Sequence, residues 1–449
     1  MKKNIRRYIF LFLIISLLGL TFCKRDLFQK ISTEVMLDNI IVDPHFNYAT
    51  SINTNLKIKT IDSNGKSMNN IRIDILSDYT INGGRLITSA TTDINGILNI
   101  NHPLPAFYKD IVIATKYPGL EGEYKVQIAK GKVELAINQN KPLTKTPIQI
   151  SIDNSIDSDN DGIPDIYDDY PMDKNKSFNS FFPIQGKTGT LAFEDLWPAK
   201  GDYDFNDLVI DYNFNQILNA QQNVTEIDAR FIVKATGAGF ENGFGFQLNV
   251  DPLIVESVTG IKLTDNYIYV SANGLEVNQN KAVIIVFDNA FKHFRNITGN
   301  NPPYMAGYNT SVGGMYGTPD TLYVVVKFSK AISQTILGNP PYNSFIITNK
   351  RRGYEVHLPD MPPTDLANLS LLGTKDDNSD IGSNRYYKSS NNLPWAINLS
   401  QSFSYPIEKA ALPKAYLLFP VWAQSNGTIY TDWFSNTSST YRDINFIYH

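Results

Sequence analysis

From Ser51 to Ile137, apolar residues recur at every second position between turn signals. Leu56, Ile58 and Thr60 alternate ahead of Asp62-Ser-Asn64-Gly65, and Ile71, Ile73 and Ile75 alternate next. Thr91-Thr-Asp93-Ile-Asn95-Gly96 marks another turn before Leu98 and Ile100; Ile111 and Ile113, then Tyr124, Val126 and Ile128, extend the pattern. A period of two puts alternate side chains on one face of a strand. Several short strands at this spacing predict an all-β sandwich over residues 46–150. Ile148, Ile150 and Ile152 predict one more strand.

The region 178–449 is rich in Tyr, Phe, Asn and Gly, and helical periodicity is scarce. Strand-like runs cover Leu208–Phe214, Ala229–Thr236, Phe244–Val250, Ala282–Phe287 and Thr321–Phe328. Met361–Ala367 predicts at most one short turn or helix capped at Thr364. The expectation is a large β-sandwich or jelly-roll-like domain, or two smaller ones.

Between these regions lies an acidic segment, 151–177. Eight aspartates fall between Asp153 and Asp173 with no lysine or arginine among them. Its centre reads Asp157-Ser-Asp159-Asn-Asp161-Gly162-Ile-Pro-Asp165-Ile-Tyr-Asp168-Asp169. Crowded carboxylates repel, so a compact form calls for neutralising cations. Acids at positions 1, 3, 5, 9 and 12 with glycine at 6 fit a loop wrapping calcium. Asp157, Asp159 and Asp161 would each give an oxygen, Ile163 its carbonyl, Asp165 a direct or water-mediated contact, and Asp168 the closing ligand. Asp169 and Asp173 are candidates for a neighbouring ion. Nitrogen and sulfur ligands are missing from this set, so calcium is expected over softer metals. A preceding strand, Pro164 and Pro171 do not suit a helix-loop-helix sensor, and the segment resembles a thrombospondin type 3 repeat. The plainer alternative is a solvated acidic linker.

A second acidic set follows. Phe193-Glu194-Asp195-Leu196-Trp197-Pro198 precedes Gly201-Asp202-Tyr203-Asp204-Phe205-Asn206-Asp207-Leu208. Asp202, Asp204 and Asn206 alternate, and Glu194 and Asp195 lie close enough in sequence to fold back on them. With Asp207, they form a candidate second calcium site on a loop feeding a strand. Solvated loop acids are the plain alternative. A glycosidase acid and nucleophile pair is set aside, because nothing in the sequence raises the pKa of one carboxyl.

The N-terminus changes the setting. Lys2, Lys3, Arg6 and Arg7 precede an apolar stretch from Tyr8 to Phe22, and Cys23 follows. This reads as a secretory leader, short for a membrane span. Cys23 is the sole cysteine, which rules out an internal disulfide. It sits where bacterial lipoproteins are lipidated, giving a leader at 1–22, a lipid on Cys23 and a tether over 23–45. Phe22 departs from the small residue usual before that cysteine. Formal charge is −4, from 40 basic and 44 acidic residues. With the acidic excess gathered in one segment, no basic face for nucleic acid is expected.

Further motifs then agree in order. Gly189-Thr-Leu-Ala-Phe193 through Val209 resembles the opening of the LruC domain. Glu241-Asn242-Gly243-Phe244-Gly245-Phe246, Glu355-Val-His357-Leu358-Pro359, Pro362-Pro363-Thr364-Asp365, Asn391-Asn392-Leu393-Pro394-Trp395-Ala396 and Asp432-Trp433 continue the likeness over roughly 150–449. The resemblance implies a bacterial envelope lipoprotein with a calcium-repeat-like segment ahead of a β-rich domain, and no catalytic residues. The Phe-Glu-Asp-Leu and Asp-x-Asp-x-Asn-Asp pair is also similar to domains of large calcium-dependent adhesins. Asn64-Gly65-Lys66 together with Thr92-Asp93-Ile94-Asn95-Gly96 resembles bacterial Ig-like and carboxypeptidase-regulatory-like modules, which serve as spacers or binding modules; a structural stalk is the expectation here.

Trp197, Trp395, Trp422 and Trp433 are expected in packing, and His357 as a structural histidine. Asp376, Asp377 and Asp380 are expected in a solvated loop, and Lys350-Arg351-Arg352 on a solvated face. The functional expectation is a non-enzymatic, lipid-anchored outer-membrane protein, surface-exposed or periplasm-facing, that binds a protein or glycan ligand. A purely structural lipoprotein and a polysaccharide-acting enzyme are the alternatives.

Overall fold

The computed structural model describes residues 37–139, 156–299 and 307–449. The leader, Cys23, most of the expected tether, Asp153 and the strand expected at Ile148–Ile152 lie outside the described residues.

The fold is all-β. In the N-terminal module the strands are β1 (Ser51–Ile61), β2 (Arg72–Leu76), β3 (Leu86–Thr91), β4 (Ile97–Pro105), β5 (Asp110–Thr115), β6 (Gly122–Gln127) and β7 (Lys132–Asn138). β1 pairs antiparallel with β4 and parallel with β7, while β2 lies between β3 and β5. Leu56, Ile58, Ile73, Ile75, Ile111 and Ile113 point inward between these two sheets and are fully buried. The alternation read from the sequence is therefore the inward face of each strand. The turns form as their residues dictate: Asp93 Oδ1 accepts from the N–H groups of Asn95 and Ile97, and Gly96 takes a positive φ of 68°. A Cβ there would meet the Met68 nitrogen and the Thr60 carbonyl oxygen at 2.9 Å, so the position needs glycine.

The C-terminal region adds β8 (Phe178–Phe182), β9 (Gly189–Phe193), β10 (Leu208–Leu218), β11 (Asn223–Ala235), β12 (Gly243–Leu248), β13 (Val255–Thr259), β14 (Ala282–Phe287), β15 (Phe294–Thr298), β16 (Tyr316–Pro319), β17 (Thr321–Ser333), β18 (Asn343–Ile347), β19 (Glu355–His357) and β20 (Ala396–Leu399). Three of the five strand-like runs read from the sequence lie within strands, and Ala229–Thr236 and Phe244–Val250 overrun β11 and β12 by one and two residues. β14, β12, β18 and β19 form a sheet in that order, with a core shared against the larger sheet. Phe214, Phe231, Phe244 and Phe246 meet there edge to face, with ring centroids 5.3–5.6 Å apart in three of the pairs.

The larger sheet runs β13-β17-β11-β10-β8-β3-β2-β5-β6, with β9 joined to β10 and β20. Module and domain thus share one sheet, joined where Thr88 of β3 pairs with Ser180 of β8. The two regions, expected on either side of the acidic segment, are thus also joined through a sheet. The seam is also braced by Arg72, which donates to Asp169 and to the Tyr167 carbonyl at 2.8 Å each, and by the stacking of Tyr117 on Tyr167.

β10 is covered on both faces. Leu208, Ile210, Tyr212 and Phe214 enter the first core, whereas Val209 enters a second core on the opposite side. That second core holds Phe403, Leu412, Tyr416, Phe419, Trp422 and Trp433 from the C-terminal cap. It also holds Ile40, Val42, Phe46 and Tyr48, so the described end of the expected tether is docked. Lys388, fully buried, donates to the Pro44 carbonyl at 2.6 Å and to Asp360 at 2.7 Å. All four tryptophans are buried, as expected of packing residues. Thr364 caps no helix; its N–H and hydroxyl both donate to Glu355.

Candidate metal centres

The first centre is the loop from Ile156 to Lys176. Its carboxylates shape the backbone themselves. Asp157 Oδ2 accepts from the Gly162 N–H at 2.9 Å, Asp159 Oδ1 from Asp161 at 3.1 Å, and Asp161 Oδ1 from Ile163 at 2.7 Å. Gly162 has a φ of 97°, a conformation L side chains rarely adopt, which permits the tight turn. Ile163 and Tyr167 are buried in the first core and pin the loop to it.

Asp157, Asp159 and Asp161 are thereby brought together, each offering an oxygen within 4.8 Å of the others. Asp157 Oδ1, Asp159 Oδ2 and Asp168 Oδ2 are covered and have no hydrogen-bond partner. Burial, followed by the charges of Asp161, Asp159 and Asp169, pushes the Asp168 carboxyl up to about 7. Asp159 is also raised, first by burial and then by Asp161 and Asp157. Leaving covered oxygens unpaired is costly. Orphaned hard oxygens in this number fit calcium.

The remaining acids of the segment are placed otherwise. Asp165 accepts from the Ser158 N–H at 2.8 Å and its hydroxyl at 2.6 Å, and these bonds lower its pKa. Asp169 pairs with Arg72 and accepts from Asn179, and Asp173 lies 3.9 Å from Lys176. The side chains of these three serve the loop and the seam rather than the converging cluster.

The second centre is more deeply buried. Glu194 and Asp195 follow β9, and Asp202 to Asp207 lead into β10. Tyr203 and Phe205 take left-handed φ values of 64° and 56°, and both N–H groups donate to Glu194, at 3.2 and 2.7 Å. These aromatic side chains go into the second core, while Glu194, Asp202 and Asp204 bring oxygens within 4.8 Å of one another. Glu194 is fully buried, and its carboxyl is raised well above normal by burial and then by Asp204. Burial and then Asp202 push Asp204 up to about 8; burial pushes Asp195 up to about 6. Asp207 is raised by burial and by the charge of Asp195, whose N–H donates to it at 2.9 Å. Asn206 is fully buried with Oδ1 unpartnered, while its Nδ2 donates to the Pro406 carbonyl at 3.2 Å.

Sequence reasoning missed Glu408. Its Oε2 is covered and unpartnered, and its charge raises the carboxyls of Asp204 and Asp195. It also missed Asn242, which donates to Asp195 at 2.8 Å. Glu408 carries no local signal, being about 200 positions from the loop it faces.

Other candidates have structural partners. His357 lies between Phe345 and Tyr387, bonded to Asn343 at 2.6 Å and Glu355 at 2.8 Å. Of Lys350-Arg351-Arg352, expected on a solvated face, Arg351 is exposed and Lys350 partly so, whereas Arg352 is largely covered. Arg352 is clamped by Glu276 and Glu355, Lys350 pairs with Glu241 and Asp265, and Arg351 covers the Tyr354 ring at 3.9 Å. Asp377 is buried and accepts from Gly373 at 2.8 Å and from Ser379.

Residues 222–434 match the family model described as "Domain of unknown function (DUF4842)", and residues 52–137 match "Domain of unknown function (DUF8469)". No curated protein matches the chain. Among solved structures, the chain is similar to a "Putative lipoprotein from Bacteroides ovatus" at 15% identity and a TM-score of 0.47, covering 84% of this chain and 94% of that one. It is also similar to BcpA, the major pilin subunit of Bacillus cereus, at 10% identity and a TM-score of 0.16, covering 67% of this chain and 65% of that one. Among the described residues, no helix is long and apolar enough to cross a membrane.

Proposed function

We propose that this protein is a cell-envelope lipoprotein, anchored to the outer membrane by lipid on Cys23, whose β domains are ordered by calcium and whose exposed faces bind a ligand rather than catalyse a reaction. The observation that carries the calcium reading is the convergence of Asp157, Asp159 and Asp161, with covered carboxylate oxygens left unpaired at the seam of the shared sheet. Calcium would take Asp157, Asp159, Asp161 and Asp168 in the loop, and Glu194, Asp202 and Asp204 in the second centre. Its contribution would be charge neutralisation, fixing a repelling loop against β2 and β8. At the millimolar calcium outside cells, even modest sites of this kind are filled.

A ligand surface is available between the module and the C-terminal domain. A cleft of about 440 Å³ is lined by Asn53, Asn99, Asn101, Gln222, Gln334 and Asn339. Neutral amides both donate and accept hydrogen bonds, which suits a hydroxyl-rich glycan. The surface-exposed, adhesin-like form of the proposal rests on this cleft and on the sequence resemblance.

Calorimetric titration of the detergent-purified full chain with calcium chloride tests the first part. Saturable binding at or below millimolar calcium is expected, and no heat together with an unchanged melting temperature would remove the reading. Protease treatment of intact cells tests the second. Cleavage is expected for a surface protein, whereas protection until the outer membrane is opened would place it facing the periplasm.

A further inference from the structure

The acids of the second centre do not all belong to one stretch of chain. Glu194 and Asp202–Asp207 lie on the two sides of the β9–β10 connection, but Glu408 arrives from the C-terminal cap. The cap segment is aligned by backbone contacts on both flanks of Glu408. The Lys409 N–H donates to Asp204 Oδ2 at 2.7 Å, the Pro406 carbonyl accepts from Asn206, and the Leu412 N–H donates to the Tyr203 carbonyl at 2.8 Å. Between these contacts, Glu408 Oε2 is sealed from solvent without a partner.

A second orphan lies on the loop that this cap segment contacts. Asn206 is fully buried, and a Cβ on Gly237 would stand 2.6 Å from its Oδ1 and 3.0 Å from Asp207 Oδ1. The amide oxygen and the Asp207 carboxylate thus crowd one point of the backbone, and the next residue, Ala238, hydrogen-bonds through its backbone to Glu408. A covered amide oxygen and a covered carboxylate oxygen, both unpaired and with further acids nearby, are acceptors without a hydrogen-bond donor. Oxygens of this kind are satisfied by a hard cation, and an amide carbonyl alongside carboxylates is a common calcium ligand set.

We propose that Glu408 and Asn206 are cation ligands of the second centre, and that a calcium ion there latches the C-terminal cap, residues 403–449, onto the β9–β10 loop. This rests on the calcium reading above and adds a ligand and a consequence to it. The second core lies directly beneath this junction, so filling the centre ties Trp422, Trp433 and Phe419 to Tyr203 and Phe205 through the chain that carries Glu408.

The test starts from the full chain with Asp157→Asn, Asp159→Asn and Asp161→Asn combined, which silences the loop and leaves the second centre intact. Calcium titration of this protein should still show binding, and adding Glu408→Gln should weaken it tenfold or more. Hydrogen exchange should show residues 403–449 protected with calcium and exchanging faster without it, and Glu408→Gln should exchange like the calcium-free protein. Glu408→Asp, which keeps the charge, should fall between the two and controls for misfolding. Unchanged affinity and unchanged exchange in Glu408→Gln would overturn the inference. Loss of all binding in the loop-silenced protein would also overturn it, while leaving the loop as a calcium site. A wild-type chain that binds no calcium would refute the underlying reading instead.

Discussion

Stripping calcium should destabilise the protein, and the damage should grow as pH rises. In the ion-free fold, Asp195 is held up to about 6, Asp168 to about 7 and Asp204 to about 8, in each case first by burial. In an unfolded chain such carboxyls titrate near pH ~4. Between about pH 4 and 8 the ion-free folded state therefore holds more protons than the unfolded state, and its stability falls as pH rises through that window. Below the window the groups are protonated in both states and the penalty vanishes. Calcium reverses the trend, because it replaces the protons and binds the deprotonated carboxylates. Each centre filled at about a hundredfold excess over its Kd contributes about 2.7 kcal/mol. Two centres give about 5 kcal/mol. With an unfolding entropy of about 2.1 cal/mol/K per residue over on the order of 400 folded residues, that is a shift of about 6 °C. Scanning calorimetry at pH 5, 6, 7 and 8, in calcium-stripped and calcium-saturated buffer, checks this. The gap between the two curves should widen from about 1–2 °C at pH 5 to about 6 °C at pH 8. A gap that stays constant, or narrows with pH, would show that Asp168 and Asp204 are not calcium ligands.

Two substitutions probe the supporting structure. Gly201→Ala places a Cβ 2.6 Å from Glu194 Oε2 at a φ of 70°, so it should cost about 1–2 kcal/mol and weaken the second centre while sparing the loop; urea melts and calcium titration would read the two effects. Arg72→Met removes the bonds to Asp169, Asp74, Ser89 and the Tyr167 carbonyl, and should cost about 2–3 kcal/mol in urea unfolding even at saturating calcium, with a loss under about 0.5 kcal/mol counting against a structural seam.

How much of this was legible depended on the range of the interactions. The module could be read because Ile71, Ile73 and Ile75 each place one face inward and the turns are spelled out locally. β10 was visible as an apolar run, and its burial on both faces explains why alternation was weak there. β9, β18, β19 and β20 were not visible: they span only three to five residues, too few to show a period, and are buried almost throughout. Asp157, Asp159 and Asp161, and Asp202, Asp204 and Asn206, were readable as candidate ligands because oxygens at alternate positions need only local spacing. Glu408 and Lys388 were not, because each acquires its role from a segment hundreds of positions away. The placement of Phe46 and Tyr48 against Trp422 is hidden for the same reason.

The docking of residues 37–50 alters how a pull on an anchor would be borne. The chain enters through the C-terminal cap, held by Lys388, Asn391 and Asn392, before it reaches the first strand of the module. Tension applied at Leu37 would therefore load the hydrogen bonds to Asn391, Asn392 and Lys388, and the packing of Phe46 and Tyr48 on Trp422, before it reached the first strand of the module.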